Sequence, residues 1–302
     1  MKKDLILHGM LCNRQIRFAA IAGRQMVSDA QRTHGLSRVA TAALGRQLLM
    51  TGIMASQLKN AKDTVTTVLA GNGPSGNLVC VGRGGGFVKG YVTNPEPELP
   101  LREDGKLDVG GYVGARGKLT VIRDLGLKEP YVGMCNLISG EVAEDFAQYF
   151  TASEQQPSLV YLGVHEQAQS GTVTGAGGIL IQPLPGCPDE EIGRVEAIAE
   201  KLPDFTKRLS EGQDPETAAL ELLATLQPEI TERIVPAFSC DCTRDRLERA
   251  LLSIGEAELN DILAHEGEAE LTCQFCLKKY HFDRTDLMEL LRAAKVEGTD
   301  GA

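Results

Sequence analysis

Cys240-Asp241-Cys242 and Cys273-Gln274-Phe275-Cys276 stand thirty residues apart near the end of the chain. Four thiols in two close pairs, split by a helical spacer, can supply four sulfurs to one tetrahedral ion. Zinc prefers that geometry, and soft thiolates suit it. The C-x-x-C half forms a turn that aims both sulfurs inward. The C-x-C half places both sulfurs on one side of an extended segment. The surrounding segment, Ala237 to about Ala294, is small. Leu247, Ala250, Leu251 and Ile254 follow i, i+3, i+4, i+7, as do Leu287, Leu290, Leu291 and Ala294. Glu270 to Phe282 between them reads as a hairpin. A unit of about 60 residues with so few large apolar groups is marginal without a staple. Cys240, Cys242, Cys273 and Cys276 are therefore the candidate ligands of one Zn2+ ion.

Other readings of the four cysteines exist. Structural disulfides need an oxidising compartment. A thioredoxin-like C-x-x-C needs a βαβ context, and Cys273 and Cys276 sit in a hairpin-like one. A plain structural zinc ribbon remains open, as does a zinc finger that binds nucleic acid, which an acidic chain disfavours. Cys12, Cys80, Cys135 and Cys187 are scattered, and each reads as a buried small hydrophobe. His281 follows Cys276 by five residues, but four sulfurs already complete the set, so it reads as a packing or surface histidine.

Upstream lies a different composition. From Gly186 to Pro236 there are 12 acidic and five basic residues, a net of −7 out of −10 for the whole chain. Ile192, Val195, Ala199 and Leu202 keep a 3-4-3 spacing, and Ala219, Leu222, Leu223 and Leu226 form a second apolar stripe. Pro203, Pro215 and Pro228 punctuate the segment. It is an acidic helical connector whose apolar faces need something to pack on. It is either a pair of ordinary surface helices or a linker that folds only under some conditions.

The first part mixes helix and strand signals. Leu36 to Leu58 reads as helical, with Gly45 and Gly52 inside it. Thr64–Ala70, Gly76–Val81 and Phe87–Thr93 are strand-like and joined by glycines. Lys118–Ile122, Ser158–Val164 and Gly178–Gln182 are further strands, and Gly140–Phe150 a helix. No βαβ rhythm repeats, so the fold class is α+β. The division is an N-terminal α+β domain over 1–185, a helical linker over 186–236 and a small C-terminal zinc-binding domain over 237–302. Gly71-Asn72-Gly73-Pro74-Ser75-Gly76 fits G-x-G-x-x-G, but a strand follows it where a dinucleotide site needs a helix, so it reads as a hairpin turn. Arg83-Gly84-Gly85-Gly86 lacks the Lys-Ser/Thr of a phosphate loop. No catalytic set stands out, which points to a protein that binds rather than turns over a substrate.

Bulk properties narrow the class further. At 302 residues the chain suits about two domains. Hydrophobic residues at 42% and charged residues at 24% exclude global disorder. Tryptophan is absent and aromatics are 5%, which weakens any reading built on base or sugar stacking. A net charge of −10 repels phosphate backbones, so no nucleic-acid partner is expected. Lys2 and Lys3 precede a short apolar stretch, with Ala20-Ile21-Ala22 as a cleavage-like site. His8 and Gly9 break that stretch and Arg14 and Arg17 charge it, so no signal peptide is expected. No apolar run approaches the roughly 20 residues of a membrane span. The expected location is the cytoplasm, where thiols stay reduced.

These residues together resemble the 33 kDa chaperonin family of redox-regulated heat-shock holdases. The resemblance runs the whole length. Its most specific part is the two cysteine pairs followed by Tyr280 and Phe282. Gly71-Asn72-Gly73-Pro74 with Gly76-Asn77-Leu78 is similar to the family's first-domain hairpin. Glu144-Asp145-Phe146 with Tyr149-Phe150 and Ser153-Glu154-Gln155 is similar to its central helix. Gly177-Gly178-Ile179-Leu180 with Gln182 is similar to its last strand before the linker. The resemblance implies a compact N-terminal domain, a docked helical linker and a zinc domain. It implies a chaperone that is inactive when reduced and zinc-bound. Oxidation to Cys240–Cys242 and Cys273–Cys276 disulfides, with loss of zinc, activates it to hold unfolding client proteins without ATP. Exposed apolar surface in that state also favours a homodimer. Two other classes stay in view: a constitutive zinc-ribbon adaptor for nucleic acid or a protein partner, and a thiol–disulfide oxidoreductase using Cys273 and Cys276.

Overall fold

The structure is a computed structural model that describes residues 3–299, with side chains through 292. It contains two compact units, which divide between Ser239 and Cys240.

The first unit is built around one helix. Its elements run β1 (Leu5–Leu11), β2 (Ile16–Ala22), α1 (Arg24–His34), α2 (Arg38–Ser56), β3 (Thr64–Ala70), β4 (Asn77–Arg83) and β5 (Phe87–Val92). Then come α3 (Val109–Val113), β6 (Lys118–Asp124), β7 (Tyr131–Asn136), α4 (Ala143–Glu154), β8 (Leu159–Glu166) and β9 (Val173–Pro183). The acidic connector supplies α5 (Asp189–Glu196), α6 (Pro203–Ser210), α7 (Pro215–Leu222) and β10 (Glu229–Ile234), and β11 (Ala237–Phe238) closes the unit. Five strands form an antiparallel sheet in the order β10-β1-β2-β9-β8. Six form a second in the order β11-β5-β4-β3-β6-β7, with only the β11–β5 pair parallel. This is α+β, as the absence of a βαβ rhythm requires.

Helix α2 packs on strands of both sheets. Ser37 caps it by accepting from Ala40 N. Seventeen of its 19 residues are buried, so it needs small residues where neighbours crowd it. A Cβ on Gly45 would meet Val164 Cγ2 and Val27 Cγ1 at 2.9 Å, and one on Gly52 would meet Ile21 Cδ1 at 3.1 Å. The glycines that break a helical pattern in sequence are thus packing requirements. Buried polar groups of this helix reach β3: Gln47 Nε2 donates to Thr67 O and Oγ1 at 3.0 Å, and the Thr51 and Thr67 hydroxyls are 2.8 Å apart. The Gly71–Gly76 run is the β3–β4 connection. A Cβ on Gly71 would fall 2.0 Å from Val113 O and one on Gly73 2.3 Å from Tyr112 O. The glycines let two backbones touch and leave no cradle for a pyrophosphate.

Asp145 explains the start of α4. Its carboxylate is fully buried and accepts from Ile138 N at 2.8 Å, Ser139 N at 3.2 Å and Val142 N at 3.0 Å. It ties down the turn before the helix and satisfies donors that would otherwise be orphans.

The connector lies on the outer face of the five-stranded sheet. Leu7, Leu11, Ile16, Phe18, Ile179 and Ile181 of the sheet form one core with Val195, Ile198, Leu202, Phe205, Leu222 and Leu226. The second apolar stripe is buried as its spacing predicts. The first shifts phase: α5 ends at Glu196, a 3₁₀ turn spans Ala199–Lys201, and Ile198 takes the deep place that the 3-4-3 spacing gives to Ala199. Pro203 and Pro215 each open a helix at its first turn, where the missing N–H costs nothing. The connector then ends as a strand, because β10 pairs with β1 from Ile6↔Ile234 to Met10↔Glu229. That strand, β1, β2, α1 and β7 have no counterpart in the sequence reading.

The second unit contains α8 (Arg244–Ser253), α9 (Glu256–His265), a hairpin of β12 (Ala269–Thr272) and β13 (Lys279–Phe282), and α10 (Arg284–Thr299). Its buried core is Leu251, Leu259, Tyr280, Phe282, Leu287 and Leu291. The stripe read over α8 is narrower than its spacing suggests. Leu251 is buried, but Ala250 is exposed and Ile254 is 47% exposed, because the helix ends at Ser253 on a unit too small to cover both flanks. Leu287 and Leu291 face the core; the side chain of Ala294 lies outside the described residues. Among the described residues no helix is long and apolar enough to cross a membrane.

Phe205 is 1% exposed and sits in the middle of the connector's docked face. Phe205→Ala is expected to weaken docking by about 3–5 kcal/mol. Hydrogen exchange should speed up across 203–226 while β3 stays protected; unchanged exchange in 203–226 would show that this face does not hold the connector.

Candidate metal centre

Each cysteine pair is placed by a different local device. Cys240 and Cys242 lie in the extended segment before α8, and Thr243 caps that helix by accepting from Arg246 N at 3.3 Å. Cys273 follows β12 directly and Cys276 lies in the hairpin turn. Leu277 N donates to Cys273 O at 2.8 Å and Cys273 N to Lys278 O at 3.0 Å, with Leu277 in the left-handed region at φ 58°. This tight knuckle turns both C-x-x-C sulfurs to the same side. Arg244 locks the C-x-C segment to the hairpin: Nη1 donates to His281 O at 2.8 Å, Nη2 pairs with Asp286 at 2.6 Å, and the guanidinium stacks 4.4 Å over the Phe282 ring.

The four Sγ atoms lie within 4.8 Å of one another. Cys240 and Cys273 sulfurs are 3.7 Å apart, and those of Cys242 and Cys276 3.4 Å. Zinc–sulfur bonds of about 2.3 Å in a tetrahedron would put sulfurs about 3.8 Å apart. The donor set and its spacing therefore suit a tetrahedral thiophilic ion.

The electrostatics lead the same way. Burial pushes the Cys240 and Cys276 thiols up, and the neighbouring sulfurs of Cys242 and Cys273 add to the rise. Burial also raises Cys242, but hydrogen bonds from Tyr280 and from the other three sulfurs outweigh it and bring Cys242 down to about 7. Cys242 ionises readily while Cys240 and Cys276 resist, as expected where like charges share a small space. A bound cation reverses that resistance.

The four cysteines singled out in the sequence are thus brought together. His281 is not among them; its Nε2 lies 3.0 Å from Glu268 Oε2 on the surface. Cys12, Cys80 and Cys135 are buried singly, and Cys187 is half-buried. Spacing alone did not reveal the hydroxyl beside the cluster. Tyr280 Oη lies 3.2 Å from Cys242 Sγ and 3.1 Å from Cys242 O. The alternation of Tyr280 and Phe282 on β13, both buried, was the available signal.

Comparison with known proteins agrees with this architecture. The Hsp33 protein family matches residues 4–283. The 33 kDa chaperonin of Clostridioides difficile (strain 630) is 41% identical over 290 residues, covering 96% of this chain and 99% of that protein. That of Alkaliphilus oremlandii (strain OhILAs) is 43% identical over 288 residues, covering 95% and 96%. The crystal structure of a 33 kDa chaperonin, a heat shock protein 33 homolog from Thermotoga maritima, superposes with a TM-score of 0.86 at 36% identity, covering 98% of this chain and 99% of that one. With a family match over nearly its whole length and a matching solved fold, the chain belongs to the Hsp33 protein family.

Proposed function

We propose that this heat-shock chaperone is a redox-switched, ATP-independent holdase of the cytoplasm, with residues 1–185 as its core, 186–236 as its releasable linker and 237–302 as its switch. The observation that carries the reading is the cluster of four sulfurs within 4.8 Å in a unit whose buried core, among the described residues, is six side chains. Cys240, Cys242, Cys273 and Cys276 would hold one Zn2+ as thiolates. The ion supplies a structural cross-link and keeps the sulfurs ionised.

Energies decide what removal of the ion does. Structural zinc contributes on the order of 10–16 kcal/mol in small peptides. A core of this size contributes about 3–5 kcal/mol at most. The metal dominates, so the unit unfolds when its cysteines are oxidised. Pairing matters here. Cys240–Cys242 and Cys273–Cys276 disulfides close very short loops and leave the chain free to unfold. The cross-pairs, whose sulfurs are closest in the reduced geometry, span 33 and 34 residues and would staple the fold instead. A switch that must unfold favours the sequence-local pairs.

Cys240 follows β11 by two residues. That strand is two residues long, and Ser239 N donates to Val88 O at 2.8 Å just beyond it. Loss of order at Cys240 can fray this short strand and then β10, which holds the connector's C-terminal end. Release of α5–α7 uncovers two apolar faces, their own and that of Leu7, Leu11, Ile16, Phe18, Ile179 and Ile181. Such faces bind unfolded clients and promote a homodimer. The acidic character of the chain keeps the complexes soluble and disfavours nucleic acid. The protein on this reading binds its clients and catalyses nothing.

Three measurements test this. Light scattering of a heat-unfolding client, with zinc release followed by a chelating dye, should show suppression only after oxidant and only as zinc leaves; equal activity in both states would favour a constitutive zinc-ribbon adaptor. Cys273→Ser should weaken zinc binding by orders of magnitude and abolish the oxidant requirement; unchanged affinity and stoichiometry would refute the ligand set. Phe282 is fully buried, so Phe282→Ala should cost about 3–5 kcal/mol. The switch unit should then be unfolded in the metal-free full chain and folded again by zinc in NMR spectra. A folded metal-free variant would show that the core needs no ion.

A further inference from the structure

Tyr280 places a hydroxyl against one of the four sulfurs. Its ring is 7% exposed and belongs to the small core, while Oη reaches Cys242 Sγ at 3.2 Å and Cys242 O at 3.1 Å. The phenol has one proton and two acceptors on the same residue. A thiolate has no proton to give, so when Cys242 is ionised that proton is shared between its sulfur and its carbonyl oxygen. Lys278 Nζ lies 4.8 Å from the ring centroid and draws on the ring's electrons, which makes the hydroxyl a better donor.

A hydrogen bond to a thiolate withdraws electron density from the lone pair that attacks an oxidant. Nucleophilicity falls with stabilisation of the anion, as the Brønsted dependence for thiols describes. We propose that Tyr280 is a positioning residue of the redox centre, whose hydroxyl holds back oxidation of Cys242 relative to the other cysteines and so sets the oxidant dose at which the cluster opens. The inference rests on reading the four cysteines as metal ligands. With peroxide as oxidant, the thiolate sulfur gives two electrons to one peroxide oxygen. An S–O bond forms, the O–O bond breaks, and the departing hydroxide takes up a proton to leave as water. A neighbouring thiolate then forms the S–S bond, expelling the sulfenic oxygen as hydroxide, which also becomes water with a proton. Tyr280 acts on the first of these steps at Cys242.

Tyr280→Phe keeps the ring in its core position and removes only the hydroxyl. The zinc-loaded full chain would be exposed to limiting peroxide, quenched by alkylation at intervals, and each cysteine read by mass spectrometry. Cys242, and Cys240 with it as its disulfide partner, should be oxidised at least about threefold faster than in the parent, with Cys273 and Cys276 changed less. Replacing Tyr280 by 3-fluorotyrosine, a stronger donor, should slow Cys242 below the parent rate. A merely structural role predicts the same acceleration at all four cysteines, a matching acceleration of zinc loss to a chelator without oxidant, and no slowing by 3-fluorotyrosine; that pattern would overturn the inference. If the parent chain binds no zinc, the ligand reading fails. If it binds zinc and Cys242 keeps its rate in both variants, only the role of Tyr280 fails.

Discussion

Four sulfurs within 4.8 Å of one another are the constraint on which the second unit depends. As thiols they are weak hydrogen-bonding groups in a small core. As thiolates they repel, and the elevated pKa values of Cys240 and Cys276 express that repulsion together with burial. Neither state explains why the chain would spend two local devices, an extended C-x-C and a knuckled C-x-x-C, on bringing them together. On the proposed reading, a cation would turn the same arrangement from a liability into the main source of order. The chemistry that makes thiolates good ligands also makes them the targets of oxidants. A single feature would therefore supply both stability and the means of removing it.

The first unit is made differently, and the difference is functional. Helix α2 packs on both sheets, is buried over 17 of its 19 residues and needs no ion. Its interior polar groups pair with one another through Gln47, Thr51 and Thr67. This part has the large contiguous core that a permanently folded domain needs. The outer face of the five-stranded sheet is a separate matter. It is as apolar as a core but is covered by segments that come late in the chain. The two clusters share the sheet but lie on its opposite faces, so the release proposed above would leave the packing of α2 in place.

The sequence made some of this legible. Cys240, Cys242, Cys273 and Cys276 stand out because metal chemistry demands residue types at short spacings. Strands β3–β6 and helix α2 stand out because their periodicities are long and regular. The N-terminal strands did not, since His8 and Gly9 interrupt the pattern. The structure supplies the reason: a Cβ at Gly9 would fall 2.4 Å from the Phe18 ring and 2.5 Å from Glu229 O, beside a register shift at His8/Gly9. That is a contact with a strand more than 200 residues away, and no local rule reports it. The α8 stripe failed for the opposite reason. Its spacing is helical, but a unit this small cannot bury Ile254. Tyr280 was visible as a residue and invisible as a donor, because the hydroxyl's partner is set by hairpin register.

The connector's design follows from helix length. Its helices α5, α6 and α7 are eight residues each. Helices this short do not persist alone in water, since nucleation costs more than two turns return. Their order is lent by Leu7, Leu11, Phe18, Ile179 and Ile181 beneath them. Removing them from the sheet therefore removes their helical structure as well, and the acidic residues on their outer faces, no longer held apart by a fixed backbone, repel into an extended chain. A single long helix of the same composition would survive detachment as a rigid amphipathic rod and redock quickly in one step. On the proposed reading, three short ones divided by Pro203 and Pro215 would come off as a flexible, apolar-studded polymer able to adapt to an irregular client. The prolines and the brevity of the helices, which look like weak folding signals, are what would suit this segment to the two states of the proposed switch.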